Sequence, residues 1–140
     1  MGMHTELNIG VQFKKNLPDK IVEVLKYMTE NNNHRDWKPN LKHPLFETER
    51  WSFMLWSDSF YFDALPYRSF EFCDISEAWY LTCIFNVKNY SSEIEHFLDF
   101  IASFIEAREK LFIGYKRYEE DTNPTLLYVE NGKILTKEVI

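Results

Sequence analysis

The chain has 140 residues, 45% of them hydrophobic, and a formal net charge of −6, which suits one globular domain with its own core. The acidic balance argues against nucleic acid or an anionic membrane as the main partner, because both are bound by basic surfaces. No apolar run approaches the roughly 20 residues that span a bilayer, and no signal-peptide pattern opens the chain, so we expect a cytoplasmic protein.

The first half begins with a predicted strand and a predicted helix. Apolar and polar residues alternate over 7–13, which is typical of a strand with one buried face. Pro18 suits the start of a helix, and an apolar stripe at three- and four-residue steps runs through 21–28. The segment 34–49 has no period and contains Pro39 and Pro44, which predicts a long loop packed onto the domain.

Residues 50–80 are dense in aromatic side chains, and short alternating runs stand out among them. The alternation predicts strands over 51–55, 60–63 and 69–73. Ser57-Asp58-Ser59 is typical of a turn between the first two of these strands. The aromatic rings exceed what two short helices could cover, so we expect some of them at a binding surface.

The second half carries the clearest signals, from Trp79 to Thr136. Period-two apolar residues predict a strand over 79–87, and Ser92 with Glu95 predicts a capping box at the start of a helix. The apolar stripe of this helix comprises Ile94, Phe97, Leu98, Ile101, Phe104 and Ile105, and the cations Arg108 and Lys110 are expected near its end. A strand over 111–118 contains Gly114, which indicates a bulge or the close approach of another backbone. Asn131-Gly132 predicts a type I′ hairpin between the last two strands.

These elements predict an α+β fold in a single domain, residues 1–140. Two βαβ-containing halves, about 5–74 and 78–138, would form a mainly antiparallel sheet with both helices on one face. This arrangement has ferredoxin-like character, and the matching order of elements suggests an internal duplication. Paired βαβββ modules are the alternative.

No motif for catalysis, for a cofactor or for a metal emerges from the spacing of reactive residues. The four glycines are isolated, and no GxSxG, HxxxH or CxxC pattern is present. His34, His43, Asp36, Glu47 and Glu49 share the long loop, and Glu6, Glu71 and Glu138 would meet in paired βαβββ modules. Both sets lack metal-ligand spacing, and the two cysteines, Cys73 and Cys83, are expected as free thiols. We therefore assign no catalytic residue, no metal and no cofactor.

The remaining chemistry points to recognition of a protein partner, basic in character because the chain is acidic. Tyr and Arg beside acids at a strand end are typical of interface hot spots. The predicted partner-binding residues are Trp37, Trp56, Tyr61, Tyr67, Tyr115, Arg117, Glu119 and Glu120. This predicts a non-enzymatic, immunity- or inhibitor-like binding protein, and a homodimer is compatible with the same pattern. The alternative is a small-molecule-binding or metal-dependent enzyme domain with a pocket under the 34–49 loop.

Overall fold

A computed structural model describes residues 3–30 and 37–139 and contains six strands and two α-helices in that part of the chain. In chain order they are β1 (His4–Gln12), α1 (Asp19–Thr29), β2 (Tyr67–Cys73), β3 (Ala78–Lys88), α2 (Glu93–Ala102), β4 (Leu111–Tyr118), β5 (Thr125–Glu130) and β6 (Lys133–Glu138). Two short 3₁₀ helices, Pro44–Glu47 and Met54–Trp56, lie in the long connection from α1 to β2.

All six strands form one antiparallel sheet in the order β2-β3-β1-β4-β5-β6. In the unit β1-α1-β2, strand β3 lies between β1 and β2, and in the unit β3-α2-β4, strand β1 lies between β3 and β4. This is the split βαβ arrangement of ferredoxin-like folds. The predicted α+β class and the antiparallel sheet with two helices packed on it are confirmed. The division into halves 5–74 and 78–138, and their origin by duplication, stay predictions.

The core lies between the two helices and one face of the sheet. Every second residue of the central strands is buried there, and the apolar stripes of both helices pack against them. The central-strand contributors are Leu7, Ile9, Val11, Leu81, Cys83, Phe85 and Val87, and the helical ones include Ile21, Leu25, Met28, Ile94, Phe97 and Ile101.

The strands predicted over 51–55 and 60–63 are wrong. Residues 51–56 form a turn and a 3₁₀ helix, and 60–63 lie in turns and bends. Met54 and Leu55 are both fully buried, whereas Phe53 is exposed. Two adjacent buried side chains fit a helical turn, in which neighbours need not point to opposite faces, as they must in a strand.

The capping box predicted at the start of α2 is also wrong. Ser92 takes a left-handed conformation with φ of 57° and makes no side-chain cap. Asn89 replaces it, because its Oδ1 accepts the Ile94 N–H at 2.8 Å. Glu95 turns instead to Asn89 and to Lys116, with Lys116 Nζ at 2.7 Å. The helix ends at Ala102, so the predicted cations Arg108 and Lys110 lie beyond it.

The predicted hairpin turn and the predicted irregularity at Gly114 are both confirmed. Asn131 and Gly132 have φ of 54° and 72°, and they connect the β5–β6 hairpin. The β4–β5 register shifts between Phe112 and Gly114, where the backbone of Gly114 lies against Asn8 of β1.

The described part of the long loop packs onto the domain as expected. Leu45 and Phe46 are buried, and the Phe46 ring lies 4.9 Å from that of Trp51 and 5.2 Å from that of Phe100. Among the described residues no helix is long and apolar enough to cross a membrane.

Candidate functional site: an open sheet face closed at one end

The face of the sheet opposite the helices forms the candidate site, and we call it the open face. Directly opposed residues on this face form one row across all six strands. In spatial order the row is Tyr67, Ile84, Asn8, Tyr115, Leu126 and Lys137. Tyr67 is 53% exposed, and the four residues that follow are half-buried. The row therefore offers an aromatic and aliphatic surface that neither α1 nor α2 covers.

Residues 57–65, the end loop, cover one end of the open face. The loop is tied to Asn86 of β3 by three hydrogen bonds. The Asn86 backbone N–H donates to the Ser57 carbonyl at 3.3 Å, its Nδ2 donates to Asp58 Oδ1 at 3.3 Å, and its Oδ1 accepts from Ser59 Oγ. Phe62 is buried beneath the loop. These contacts fix the loop on the sheet.

A polar cluster lies between the end loop and the strands. Glu6 is buried and sits 4.0 Å from Nη2 of Arg117, which is its register partner on β4. The Arg117 guanidinium carbon lies 5.1 Å from the ring centroid of Phe62. Arg117 therefore links the loop to the sheet through an aromatic contact on one side and a carboxylate on the other.

His4 joins this cluster to the end of β4. Its ring lies 5.5 Å from that of Tyr61, and its backbone N–H donates to the carboxylate of Glu119. Burial lowers the pKa of His4, the carboxylates of Glu119 and Asp58 act in the opposite direction, and Lys88 acts in the same direction as burial. Burial against the loop thus disfavours the protonated form of His4.

The exposed apolar side chains of the end loop and the acids at the end of β4 form what we call the acid–aromatic patch: Phe60, Tyr61, Leu65, Glu119 and Glu120. His4 links its two parts, because it contacts both Tyr61 and Glu119. Phe60 and Leu65 are 89% and 85% exposed, and Phe60 stacks on Tyr61 with ring centroids 4.6 Å apart. The exposed acids Asp58, Asp63 and Asp121 add further negative charge. Burial and the carboxylates of Glu120 and Glu119 raise the pKa of Tyr118 at this strand end.

Five of the predicted partner-binding residues come together at the open face and its closed end: Tyr61, Tyr67, Tyr115, Arg117 and Glu119. Glu120 is exposed in the turn that follows. Trp37 and Trp56 are not part of this surface. Trp37 packs against the core, 4.7 Å from the ring of Tyr27. The ring of Trp56 lies 3.2 Å from the guanidinium carbon of Arg68, whose register partner Cys83 faces the helices.

The sequence reasoning did not single out Phe60, Leu65 or Ile84 as surface residues. Phe60 follows the Ser57-Asp58-Ser59 turn and Leu65 precedes Pro66, so their positions between turn signals could have indicated a loop. Ile84 offered no such signal, because an isoleucine in a strand is ordinarily assigned to the core.

The described residues include no group of three or more His, Cys, Asp or Glu side chains that could hold a metal ion. His34 and Asp36 lie outside the described residues, whereas Nε2 of His43 donates a hydrogen bond to Oδ2 of Asp99 at 2.9 Å. Glu6 and Glu71 face the open side on different strands, with β3 between them.

A groove of about 370 Å³ lies between α2 and the β5–β6 hairpin, on the helix side of the sheet. The β5–β6 hairpin adds two strands to the sheet, and the two helices leave part of this wider sheet uncovered. Its apolar floor includes Leu98, Leu127 and Ile134, and the ion pair between Lys116 and Glu95 lies along it.

No protein-family model matches this chain, and no curated protein or solved structure matches it either. The fold and the site define an α+β domain with an open sheet face and, at one end, a loop that is hydrogen-bonded to the sheet. Function is therefore argued from the site alone.

Proposed function

We propose that this protein is a non-enzymatic binding protein that recognises a basic protein partner through the acid–aromatic patch and the adjoining open face. The observation that supports this most directly is the exposure of Phe60 and Leu65, at 89% and 85%, on a loop that the sheet holds in place. A single exposed apolar side chain such as Ile75 is ordinary, but Phe60 stacks on the exposed Tyr61, and contiguous apolar surface of this kind marks interaction sites.

Charge complements this apolar surface. Acidic side chains surround the patch, and the whole chain carries a formal net charge of −6. A basic partner would be attracted over a distance and would then find rings on which arginine or lysine can stack. Because the end loop is already fixed by Asn86, little ordering of the loop would oppose binding.

This combination of small size, acidity and a preorganised patch is what an inhibitor or an immunity protein needs to neutralise a basic toxin or effector. The free thiols of Cys73 and Cys83 fit the reducing conditions of the cytoplasm, where such a protein would act.

The test compares variants of the immobilised protein for retention of proteins from the native host lysate. Phe60→Ser and Glu120→Lys alter the patch, and Ile75→Ser is the matched control, because Ile75 is 97% exposed in the turn between β2 and β3. We expect a basic protein to be retained by the wild type and by Ile75→Ser, but not by the two patch variants.

Titration with the retained protein then gives the size of the effect. A hot-spot residue costs at least about 1 kcal/mol when truncated, so Phe60→Ser should raise the Kd roughly fivefold or more. Raised salt should weaken binding as well, because part of the attraction is between exposed charges. Equal retention by the wild type and both patch variants would refute the proposal.

A further inference from the structure

Both edges of the sheet have backbone groups without backbone partners, but only one edge is protected against pairing. No backbone hydrogen bond from β2 or β6 to a residue outside the sheet is found in the described residues. The outer edge strand β6 carries Lys133, Lys137 and Glu138, and lysines at a sheet edge discourage the addition of another strand.

The β2 edge lacks this protection. Its seven residues, Tyr67–Cys73, contain no lysine, no proline and no bulge. The one cation, Arg68, is drawn under the Trp56 ring, and its burial lowers the pKa of the guanidinium. Phe72 and Tyr67 remain 47% and 53% exposed along this edge. An unprotected edge with exposed rings is a template for strand pairing.

We propose that β2 pairs antiparallel with β2 of a second copy of this chain, which joins the two sheets into one. Residues that oppose each other across an antiparallel pair point to the same face of the sheet. A two-fold axis normal to the sheet must therefore pass beside one residue of β2, which opposes the same residue of the other copy. An axis at Arg68 or at Glu71 would oppose two like charges, which is unfavourable.

An axis at Phe70 gives every residue of β2 a partner. Ser69 then faces Glu71 of the other copy, Arg68 faces Phe72, and Tyr67 faces Cys73. No like charges are opposed, and the exposed Phe72 ring is covered by the strand of the other copy. An axis at Ser69 also avoids like charges but leaves Phe72 and Cys73 to face residues before β2. The charge pattern and the full pairing therefore select the axis at Phe70.

A second copy is favoured over a strand of another protein because the edge is complementary to itself. The proposal does not rest on the acid–aromatic patch, which lies at the end of β4 and in residues 57–65, and it shares only Tyr67 with the row on the open face. A failure to bind a basic partner would leave it untouched, and a monomeric protein would leave the proposed function untouched.

The first test measures the dimer Kd by sedimentation equilibrium over a concentration series. Ser69→Glu places a carboxylate opposite Glu71 twice in each dimer, and it should weaken the dimer by about 2- to 30-fold. Ser69→Lys should strengthen it by a similar factor. Ile75→Glu carries the same added charge outside the paired strand and should change the Kd by less than Ser69→Glu does.

The second test reads the register directly. Tyr67→Cys faces the native Cys73 across the two-fold axis, so mild oxidation should give a covalent dimer on a non-reducing gel. The double variant Tyr67→Cys, Cys73→Ser should lose this dimer, and Ile75→Cys should not form one at the same rate. A wild type that stays monomeric at about millimolar concentration, or a dimer that responds to none of these changes, would overturn the proposal. The proposal would also be overturned if β2 paired only with a strand of a different protein.

Discussion

Replacing Gly114 by alanine should destabilise the domain far more than a surface methyl group ordinarily does. Gly114 has φ of +148°, and a Cβ built there would lie 1.9 Å from the carbonyl oxygen of Asn8 and 2.9 Å from Cα of Ile9. Both contacts are with the backbone of the central strand β1, which cannot rotate away as a flexible side chain could.

The expected cost has two parts. The unfavourable backbone conformation contributes about 1–3 kcal/mol, and the overpacking against β1 contributes about another 1–3 kcal/mol. Gly114→Ala should therefore lower the free energy of unfolding by about 2–6 kcal/mol, a large fraction of the 5–15 kcal/mol that is typical of whole domains. The bulge also sets which residues of β4 face the open side, so Arg117 should lose its place under the end loop.

Urea denaturation followed by circular dichroism measures this loss, and the neighbouring strand supplies the control. A Cβ at Gly10 of β1 would approach only Oγ1 of Thr82, at 4.0 Å, and Gly10 has no positive φ. Gly10→Ala should be neutral, or should stabilise by about 0.4–1 kcal/mol, because alanine restricts the unfolded chain. If the two variants unfold within about 1 kcal/mol of each other, the reasoning on Gly114 is refuted.

Two further predictions concern the start of α2 and the closed end of the open face. Asn89→Ala should lower the free energy of unfolding by about 0.5–2 kcal/mol, because the Ile94 N–H loses its acceptor. Ser92→Ala should change the free energy of unfolding by less than about 0.5 kcal/mol, because Ser92 makes no side-chain cap. A larger loss from Ser92→Ala would support the capping box instead. His4 has a lowered pKa when folded, so the unfolded state binds its proton first, and stability should fall as the pH drops below the ordinary histidine value of about 6.5 toward the folded pKa. The urea midpoint of His4→Gln should depend less on pH between 7.5 and 5 than that of the wild type, and equal dependence would contradict the assigned cause.

Periodicity along the chain determined the strands and helices that carry a continuous apolar face. The stripe through Ile94, Phe97 and Ile101 predicted α2, and Asn131-Gly132 predicted the final hairpin, because both signals arise from residues close together in sequence. The aromatic-rich segment before β2 misled the same reasoning. There, alternation over a few residues predicted strands, but the segment forms a 3₁₀ helix that buries Met54 and Leu55 together.

The candidate site was only partly accessible from the sequence. Tyr67 and Tyr115 could be predicted as binding residues from their type, but not as members of one row on one face, since strand order decides that. The inward position of Trp37 depends in the same way on its packing beside Tyr27.

By itself, the sequence determined the α+β class, the amphipathic stripes, the tight hairpin and the acidic charge, because each is written in residues that are neighbours along the chain. Only the tertiary structure decided that Asn89 caps α2, that Ser59 and Asn86, 27 residues apart, fix the end loop, and that β2 and β6 became the edges. Such features arise from contacts between segments that are distant in sequence. The energies of these contacts depend on the order of the strands in the whole sheet, and they produce no periodic pattern in the local sequence.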